Sequence, residues 1–260
     1  MLILTLLLTA VISYLLGSCN SAIIVVKLLK HEDIREHGSK NAGLTNTLRC
    51  YGKVPALLTL IGDLAKGVVA VLISLQIAKL LMGADFESVH ALVDKRTIGY
   101  ISGLFSIIGH IFPLYYGFKG GKGVLVSCSI LLVIDPVTFC IVIPFFIIVV
   151  AISRYVSLGS ILSAAVYPII TFCVHMFVYN VGIERALIHT GLVLCTSILL
   201  IYMHRSNIQR LRNGTENKFG SKKKTDVACH AKRKKLSGKT QKIPFKMTFG
   251  YILKGIFLSM

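Results

Sequence analysis

Long runs of apolar residues dominate this sequence. A transmembrane helix needs about 20 mostly apolar residues, and five runs approach or exceed that length: 3–26, 54–82, 97–116, 158–180 and 186–203. The chain is 54% hydrophobic and only 15% charged, with a mean hydropathy of +0.74. This composition excludes an ordinary soluble domain and predicts an all-α, polytopic membrane helix bundle.

A sixth apolar run, 124–152, is interrupted by Asp135-Pro136. This dipeptide favours a turn, so the run divides into two short segments and the total becomes about seven transmembrane helices. The first segment is short unless its helix begins near Gly120 and Gly121. Five spans with a re-entrant hairpin are therefore the alternative.

The basic residues predict how the bundle is oriented. Lys and Arg are concentrated in the loops at 27–53 and 117–123 and in the turn at Arg154, whereas the alternate loops contain fewer of them and balance them with acidic residues. Basic loops stay in the cytoplasm, which places the N-terminus outside and the C-terminus in the cytoplasm. The first 26 residues contain no Lys or Arg, so we expect a retained spanning helix and not a cleaved signal peptide.

Neither the charge nor the cysteines point to nucleic acid or metal. The net charge of +18 collects in the inter-helix loops and in a tail after Asn213, where it indicates membrane orientation. The seven cysteines form no C-x-x-C pair, so neither a disulfide framework nor a zinc site is indicated. We expect no metal, no cofactor and no nucleic-acid partner.

A polar loop between the first two apolar runs has the residues of an anion site. It reads R-E-H-G-S-K-N-A-G-L-T-N-T-L-R-C-Y-G over residues 35–52. Its glycines let backbone N–H groups approach a ligand, and arginines at both ends suit phosphate oxygens. The candidate ligand groups are Arg35, Ser39, Asn41, Gly43, Thr45, Asn46 and Arg49. A solvated turn between helices is the alternative reading.

A second glycine-rich loop ends the third apolar run, G-H-I-F-P-L-Y-Y-G-F-K-G-G-K-G over residues 109–123. Gly120 and Gly121 free the backbone, and Lys122 places an ammonium group beside it. This is not a Walker A loop, because glycine follows Gly-Lys. His110 is either a catalytic group or a hydrogen-bonded packing residue.

Polar groups also occur at three further places. Asp63 and Lys66 lie three residues apart on one face of the second span, as a functional pair or as a self-neutralising one. The turn at 153–160 contains Arg154, Ser157 and Ser160, and the segment after the last span contains His204, Arg205 and Asn207.

These motifs resemble those of the PlsY family of bacterial membrane acyltransferases, in order and spacing, over residues 1 to about 219. The first loop is similar to R-x-x-G-S-G-N-x-G-A-T-N-x-x-R, with Lys40 and Leu44 as departures. The second matches G-H-x-x-P-x-x-x-x-F-K-G-G-K-G closely. Residues 62–67, 154–160 and 204–211 resemble D-x-x-K-G, R-Y-V-S-L-x-S and H-R-x-N-I-x-R-L.

The resemblance implies transfer of a fatty acyl group from acyl phosphate to the 1-hydroxyl of glycerol 3-phosphate, giving lysophosphatidic acid for phospholipid synthesis. It implies catalytic roles for Ser39, His110 and Lys122, with the proton taken by His110 or by a substrate phosphate. The implied substrate-binding residues are Arg49, Asn41, Gly43, Thr45, Asn46, Gly120, Gly121, Ser157, His204 and Asn207. No Ser-His-Asp order or G-x-S-x-G elbow is present, so direct transfer is preferred to an acyl-enzyme.

The expected partners are the two substrates and membrane lipid. The expected location is the bacterial inner membrane, with a multi-pass chain and the active site on the cytoplasmic face. Residues 1–219 are predicted to form the acyltransferase domain and 220–260 a basic tail, disordered or at the membrane interface. A transporter or channel for an anionic phosphorylated metabolite is the competing class; it would place polar groups at the membrane midplane.

Overall fold

The computed structural model describes residues 1–84, 86 and 92–220. The predicted tail, apart from residue 220, lies outside this part of the chain. Within it the secondary structure is helical, with short 3-10 turns at Ile34–Glu36 and Leu114–Tyr116. The α-helices are α1 Leu2–Ser18, α2 Ser21–Lys30, α3 Leu44–Tyr51, α4 Lys53–Met82, α5 Lys95–Ile111, α6 Val124–Ile134, α7 Pro136–Ser153, α8 Val156–Phe177, α9 Ile183–Met203 and α10 Arg205–Arg212.

In the described residues, six helical stretches are long and apolar enough to cross a membrane. They are α1 with α2, α4, α5 with the turn after it, α7, α8 and α9. The prediction of an all-α membrane bundle is therefore confirmed. The seventh predicted segment, α6, has 11 residues and a length of about 16 Å, roughly half of the apolar layer.

Helix α6 is short because it begins at Val124, after the glycine-rich loop, and not near Gly120. It packs along the first half of α5, where a Cβ on Gly99 would collide with Ile134 and one on Gly103 with Ile130. Small residues thus let the two helix backbones approach closely. Residues 112–123 occupy the space beside the second half of α5, at what we call the loop end of the bundle.

The first helix is fastened to α4 and α5 by small and hydroxyl-bearing residues. The Ser13 hydroxyl lies 2.8 Å from that of Ser102 and 3.2 Å from that of Ser74. A Cβ on Gly17 would collide with the Ser106 carbonyl, and one on Gly109 with the Tyr14 carbonyl. Such contacts replace hydrophobic burial as the basis of helix association inside a bilayer.

The opposite end of the bundle contains a buried polar chain, the histidine cluster, formed by Asp94, His189, His175, Asp135 and Tyr100. Nδ1 atoms of the two histidines are 2.8 Å apart, and each Nε2 lies 3.1 Å from a carboxylate, of Asp94 for His189 and of Asp135 for His175. The Tyr100 hydroxyl donates to Asp135 at 2.9 Å. The cluster joins residues of three helices, α5, α8 and α9, to the cap residues Asp94 and Asp135, far from the loop end.

Candidate active site

The first loop is organised around the side chain of Asn46, which is 2% exposed. Its Oδ1 accepts the N–H of Ser39 at 2.9 Å, and its Nδ2 donates to the carbonyls of His37 and Asn41 at 3.0 and 3.1 Å. Gly38 has a φ of +57°, and Asn46 Oδ1 occupies the space a Cβ there would need. Asn46 therefore fixes the loop's shape.

The other predicted residues of this loop lie at or near its surface. Ser39 and Thr45 are exposed, and Asn41, Gly43 and Arg49 are partly exposed. Gly43 is the N-cap residue that precedes α3, and no side chain caps that helix start. The first N–H groups of α3 thus present the positive end of a helix dipole beside the loop.

Arg35 joins the first loop to the second. Its guanidinium binds both carboxylate oxygens of Asp33, which holds the pKa of that carboxyl below its usual range, and donates to the carbonyls of Tyr116 and Lys119 at 2.6 and 3.1 Å. The guanidinium expected to bind phosphate is thus engaged in loop packing.

The second loop folds back onto the end of α5. The N–H of Gly121 donates to the carbonyl of His110 at 3.1 Å, and that of Gly120 to Ile111 at 3.0 Å. A Cβ on Gly121 would collide with Nε2 of His110 and with the carbonyl of Ala42 in the first loop. Gly120 and Gly121 are therefore required for close approach between the two loops and α5.

His110 is held by the charged pair on α4. The Lys66 ammonium lies 2.7 Å from His110 Nδ1 and 2.9 Å from Asp63 Oδ1, and donates to the Cys19 carbonyl at 3.2 Å. All three side chains are buried, with exposed side-chain fractions of 7% for Lys66, 1% for Asp63 and 4% for His110. The charged pair on α4 thus contacts His110, a candidate catalytic residue.

Lys122 connects the second loop to the segment after the last span. Its ammonium donates to Oδ1 of Asn207, whose Nδ2 donates to Oε1 of Glu216 at 2.8 Å. The same carboxylate accepts the Ser157 hydroxyl at 3.0 Å and Nε of Arg210 at 2.6 Å. Three segments distant in sequence thereby meet in one cluster, which we call the Lys122 cluster.

The surroundings of the Lys122 cluster lower the pKa of Lys122 and that of the neighbouring His204. Burial, reinforced by the positive charge of Arg210, lowers the pKa of Lys122 to about 8. Burial and the Lys122 ammonium lower the pKa of His204 to about 4, so this imidazole is neutral near pH 7. Its Nδ1 donates to the Leu200 carbonyl at 2.8 Å, which leaves Nε2 as a hydrogen-bond acceptor.

The second loop is the centre of the arrangement. The first loop contacts it through Arg35 and Ala42, and Lys122 connects it to Ser157 and Asn207. Sequence reasoning missed Glu216 and Arg210. The available signal was that Glu216 is the only acidic residue in the basic segment 203–219.

An apolar groove between α6, α7 and α8 begins beside this site. Its lining includes Val124, which follows Gly123, and Leu200, whose carbonyl binds His204. The remaining lining residues come mainly from these three helices: Ser127, Cys128, Leu131, Val142, Ile143, Phe146, Ser160, Ser163, Ala164 and Tyr167. The apolar lining thus reaches the loop end at Val124 and Leu200.

These features define an integral membrane protein with a cationic, glycine-lined site against an apolar groove. Residues 7–214 match the family described as glycerol-3-phosphate acyltransferase. Curated relatives of that name include one from Clostridioides difficile, 42% identical over 82% of this chain and 95% of the relative, and one from Chlorobaculum tepidum, 39% identical over 84% and 99%. The chain belongs to the glycerol-3-phosphate acyltransferase family and is an acyltransferase.

Solved structures agree with this assignment. The chain is similar to crystal structures of PlsY (YgiH), an integral membrane glycerol 3-phosphate acyltransferase. The glycerol 3-phosphate form is 30% identical with a TM-score of 0.65, covering 83% of this chain and 96% of that one. The lysophosphatidic acid form is 29% identical with a TM-score of 0.63, covering 83% and 95%.

Proposed function

We propose that this protein transfers a fatty acyl group from acyl phosphate to the 1-hydroxyl of glycerol 3-phosphate, releasing lysophosphatidic acid and inorganic phosphate. The observation that carries the proposal is the Lys122 cluster, placed between a glycine-rich loop and an apolar groove. Both proposed substrates contain phosphate and one contains a lipid chain. Homology to acyltransferases named for glycerol 3-phosphate supports glycerol 3-phosphate as the acyl acceptor.

Glycerol 3-phosphate is assigned to the Lys122 cluster. Lys122 and Arg49 supply positive charge for its phosphate. Ser157 and Asn207 already bind a carboxylate, that of Glu216, so their donors are arranged for an anionic oxygen. His204 completes this set with a neutral imidazole next to Lys122.

Acyl phosphate is assigned to the two loops. Its phosphate would bind at Ser39, Asn41, Gly43, Thr45 and the start of α3, where a helix dipole favours an anion. Its hydrocarbon chain would enter the groove between α6, α7 and α8. Asn46, Gly120 and Gly121 would act by shaping this site, since the Asn46 side chain is bound within the loop.

The chemistry follows from this placement. The glycerol 1-hydroxyl oxygen forms a bond to the acyl carbonyl carbon, the bond from that carbon to the phosphate oxygen breaks, and the hydroxyl proton leaves to a base. Negative charge that develops on the carbonyl oxygen is stabilised by N–H groups of the glycine loop. Phosphate is a good leaving group, so positioning the substrates supplies much of the rate.

The proposed location is the bacterial inner membrane with the site in the cytoplasm. Given the order of the helices, Met1 lies at the end of the bundle opposite the loops, and Met203 lies at the loop end. The loop end contains the basic segments 27–53, 117–123 and 203–219, and such segments favour the cytoplasm.

The proposal is tested with purified protein, palmitoyl phosphate and glycerol 3-phosphate, with lysophosphatidic acid measured by mass spectrometry. Palmitoyl-CoA is the comparison donor, and protein with Lys122→Ala is the matched control. We expect product from palmitoyl phosphate alone and none from the variant. Equal rates with palmitoyl-CoA would contradict the donor assignment.

A further inference from the structure

The contacts of Lys66 determine which nitrogen of His110 carries the proton. An ammonium group has three N–H donors and no acceptor. Three acceptor atoms lie within 3.2 Å of Lys66 Nζ: Asp63 Oδ1, the Cys19 carbonyl oxygen and His110 Nδ1. The buried Asp63 carboxylate, 2.9 Å from Nζ, supplies the counter-charge for an ammonium group at this position. Toward that ammonium group, Nδ1 can only accept a hydrogen bond.

Asp63 does not accept a hydrogen bond from the His110 imidazole. Its Oδ1 is 3.6 Å from His110 Nδ1, which is beyond hydrogen-bonding distance. With Nδ1 as an acceptor facing a cation, the neutral ring carries its single proton on Nε2.

The Nε2–H group points at the glycine loop. A Cβ on Gly121 would occupy the position next to Nε2, so this nitrogen lies directly against the glycine backbone. Within residues 1–84 and 92–220, no protein hydrogen bond is made by Nε2. The donor is therefore left for a ligand bound between the glycine loop and the first loop.

We propose that Lys66 is a positioning residue that holds His110 as its Nε2–H tautomer, so that the ring presents a hydrogen-bond donor to a charged oxygen of acyl phosphate. The role of His110 rests on the proposed function; its tautomer does not. A base needs a free lone pair, and the only lone pair of this ring faces an ammonium group. The charged and titratable neighbours are Asp63 and Lys66 on α4 and Cys19 between α1 and α2.

The tautomer is tested without substrate by ¹⁵N NMR of histidine-labelled protein in detergent, with the His110 signals assigned by their loss in His110→Gln. We expect a pyridine-type shift at Nδ1 and a pyrrole-type shift at Nε2, both constant from pH 6 to 8. In the paired variant Asp63→Leu/Lys66→Met, which removes both charges together, the tautomer should become mixed. Lys79→Met, an exposed lysine on the same helix, is the control. A pyrrole-type Nδ1 in the unmodified protein would overturn the inference.

The donor role is tested by two substitutions of His110. The amide of His110→Gln can donate from near the Nε2 position but cannot act as a base, whereas His110→Phe can do neither. If His110 donates, His110→Gln keeps turnover within about tenfold and His110→Phe loses roughly 10²- to 10³-fold, as for other oxyanion donors. Equal losses of roughly 10²- to 10⁴-fold in both would indicate a general base and overturn the donor role.

A double-mutant cycle tests whether Lys66 acts through His110. The paired Asp63→Leu/Lys66→Met change should lower kcat more than tenfold, and by less than threefold in the H110Q background, because an amide needs no lysine to set its tautomer. Equal losses in both backgrounds would mean that the pair acts only through the fold. If the unmodified protein makes no lysophosphatidic acid, the proposed function fails while the NMR result still decides the tautomer.

Discussion

Nδ2 of Asn207 donates to Oε1 of Glu216 at 2.8 Å, and this contact turns Oδ1 of the same amide toward Lys122. Glu216 thus orients a predicted substrate-binding residue. The carboxylate also accepts from Ser157 and Arg210, so a single acidic group arranges the donors around it.

Glu216→Ala should therefore raise KM for glycerol 3-phosphate more than it lowers kcat. Hydrogen bonds to charged groups contribute roughly 1.5–3 kcal/mol, which corresponds to roughly 10- to 100-fold in KM. The measurement is initial-rate kinetics with glycerol 3-phosphate varied at saturating acyl phosphate. Glu184→Ala, an exposed glutamate at the opposite end, is the control. A lower KM would instead show that Glu216 competes with the substrate phosphate.

The lowered pKa of Lys122 predicts a basic limb in the pH profile. Because the charged ammonium is the form that binds phosphate, kcat/KM for glycerol 3-phosphate should fall about tenfold per pH unit above about 8. The second pKa of a phosphate monoester is near 6, so the substrate does not change charge there. Lys122→Arg should remove the limb, since arginine stays charged. A limb that persists in this variant would assign the titration to another group.

Ser39→Ala separates a ligand contact from loop stability. The hydroxyl is exposed and makes no hydrogen bond within the described residues, so the free energy of unfolding should change by less than about 0.5 kcal/mol. Turnover should fall at least tenfold if the hydroxyl binds acyl phosphate. Asn46→Ala is the contrasting variant, because it leaves loop N–H and carbonyl groups without partners and should cost about 1–3 kcal/mol. Full activity in Ser39→Ala would remove this contact from the mechanism.

Direct transfer predicts that no acylated protein forms during turnover. Protein quenched in the steady state with palmitoyl phosphate and analysed by intact mass and peptide mapping should show no palmitoyl adduct at Ser39 or at any cysteine. An adduct that forms and decays at the turnover rate would replace direct transfer with a two-step route.

The spacing of apolar and polar segments was enough to predict the helical bundle and the loop end. Motif residues such as Lys122, Ser157 and Asn207, far apart in sequence, do meet. The start of α6 could not be predicted, because it depends on Gly120 and Gly121 binding back to the end of α5. Composition shows that a glycine loop can fold in this way but not that it does.

The partners of the charged and titratable side chains could not be predicted from the sequence. Arg35 has the spacing of a phosphate ligand, yet a preceding aspartate and two carbonyls engage it. The histidine cluster joins Asp94, Asp135, His175 and His189 from four separate segments, and no local motif marks such pairs. Buried polar contacts of this kind depend on how helices pack, which periodicity alone does not determine.

The histidine cluster predicts a variant with the opposite phenotype to Lys122→Ala. His175→Phe removes one partner each from His189 and Asp135 inside the bundle. Leaving a buried polar group without its partner typically costs about 1–3 kcal/mol, and more for a charged group, so the thermal midpoint in detergent should fall clearly. The cluster lies at the end opposite the loops, so kcat/KM below the unfolding range should stay within about twofold, the scatter expected of distant, independent sites. Lys122→Ala should show the reverse, with activity lost and the midpoint nearly unchanged. If His175→Phe lost activity at an unchanged midpoint, the cluster would belong to the catalytic machinery and not to the scaffold.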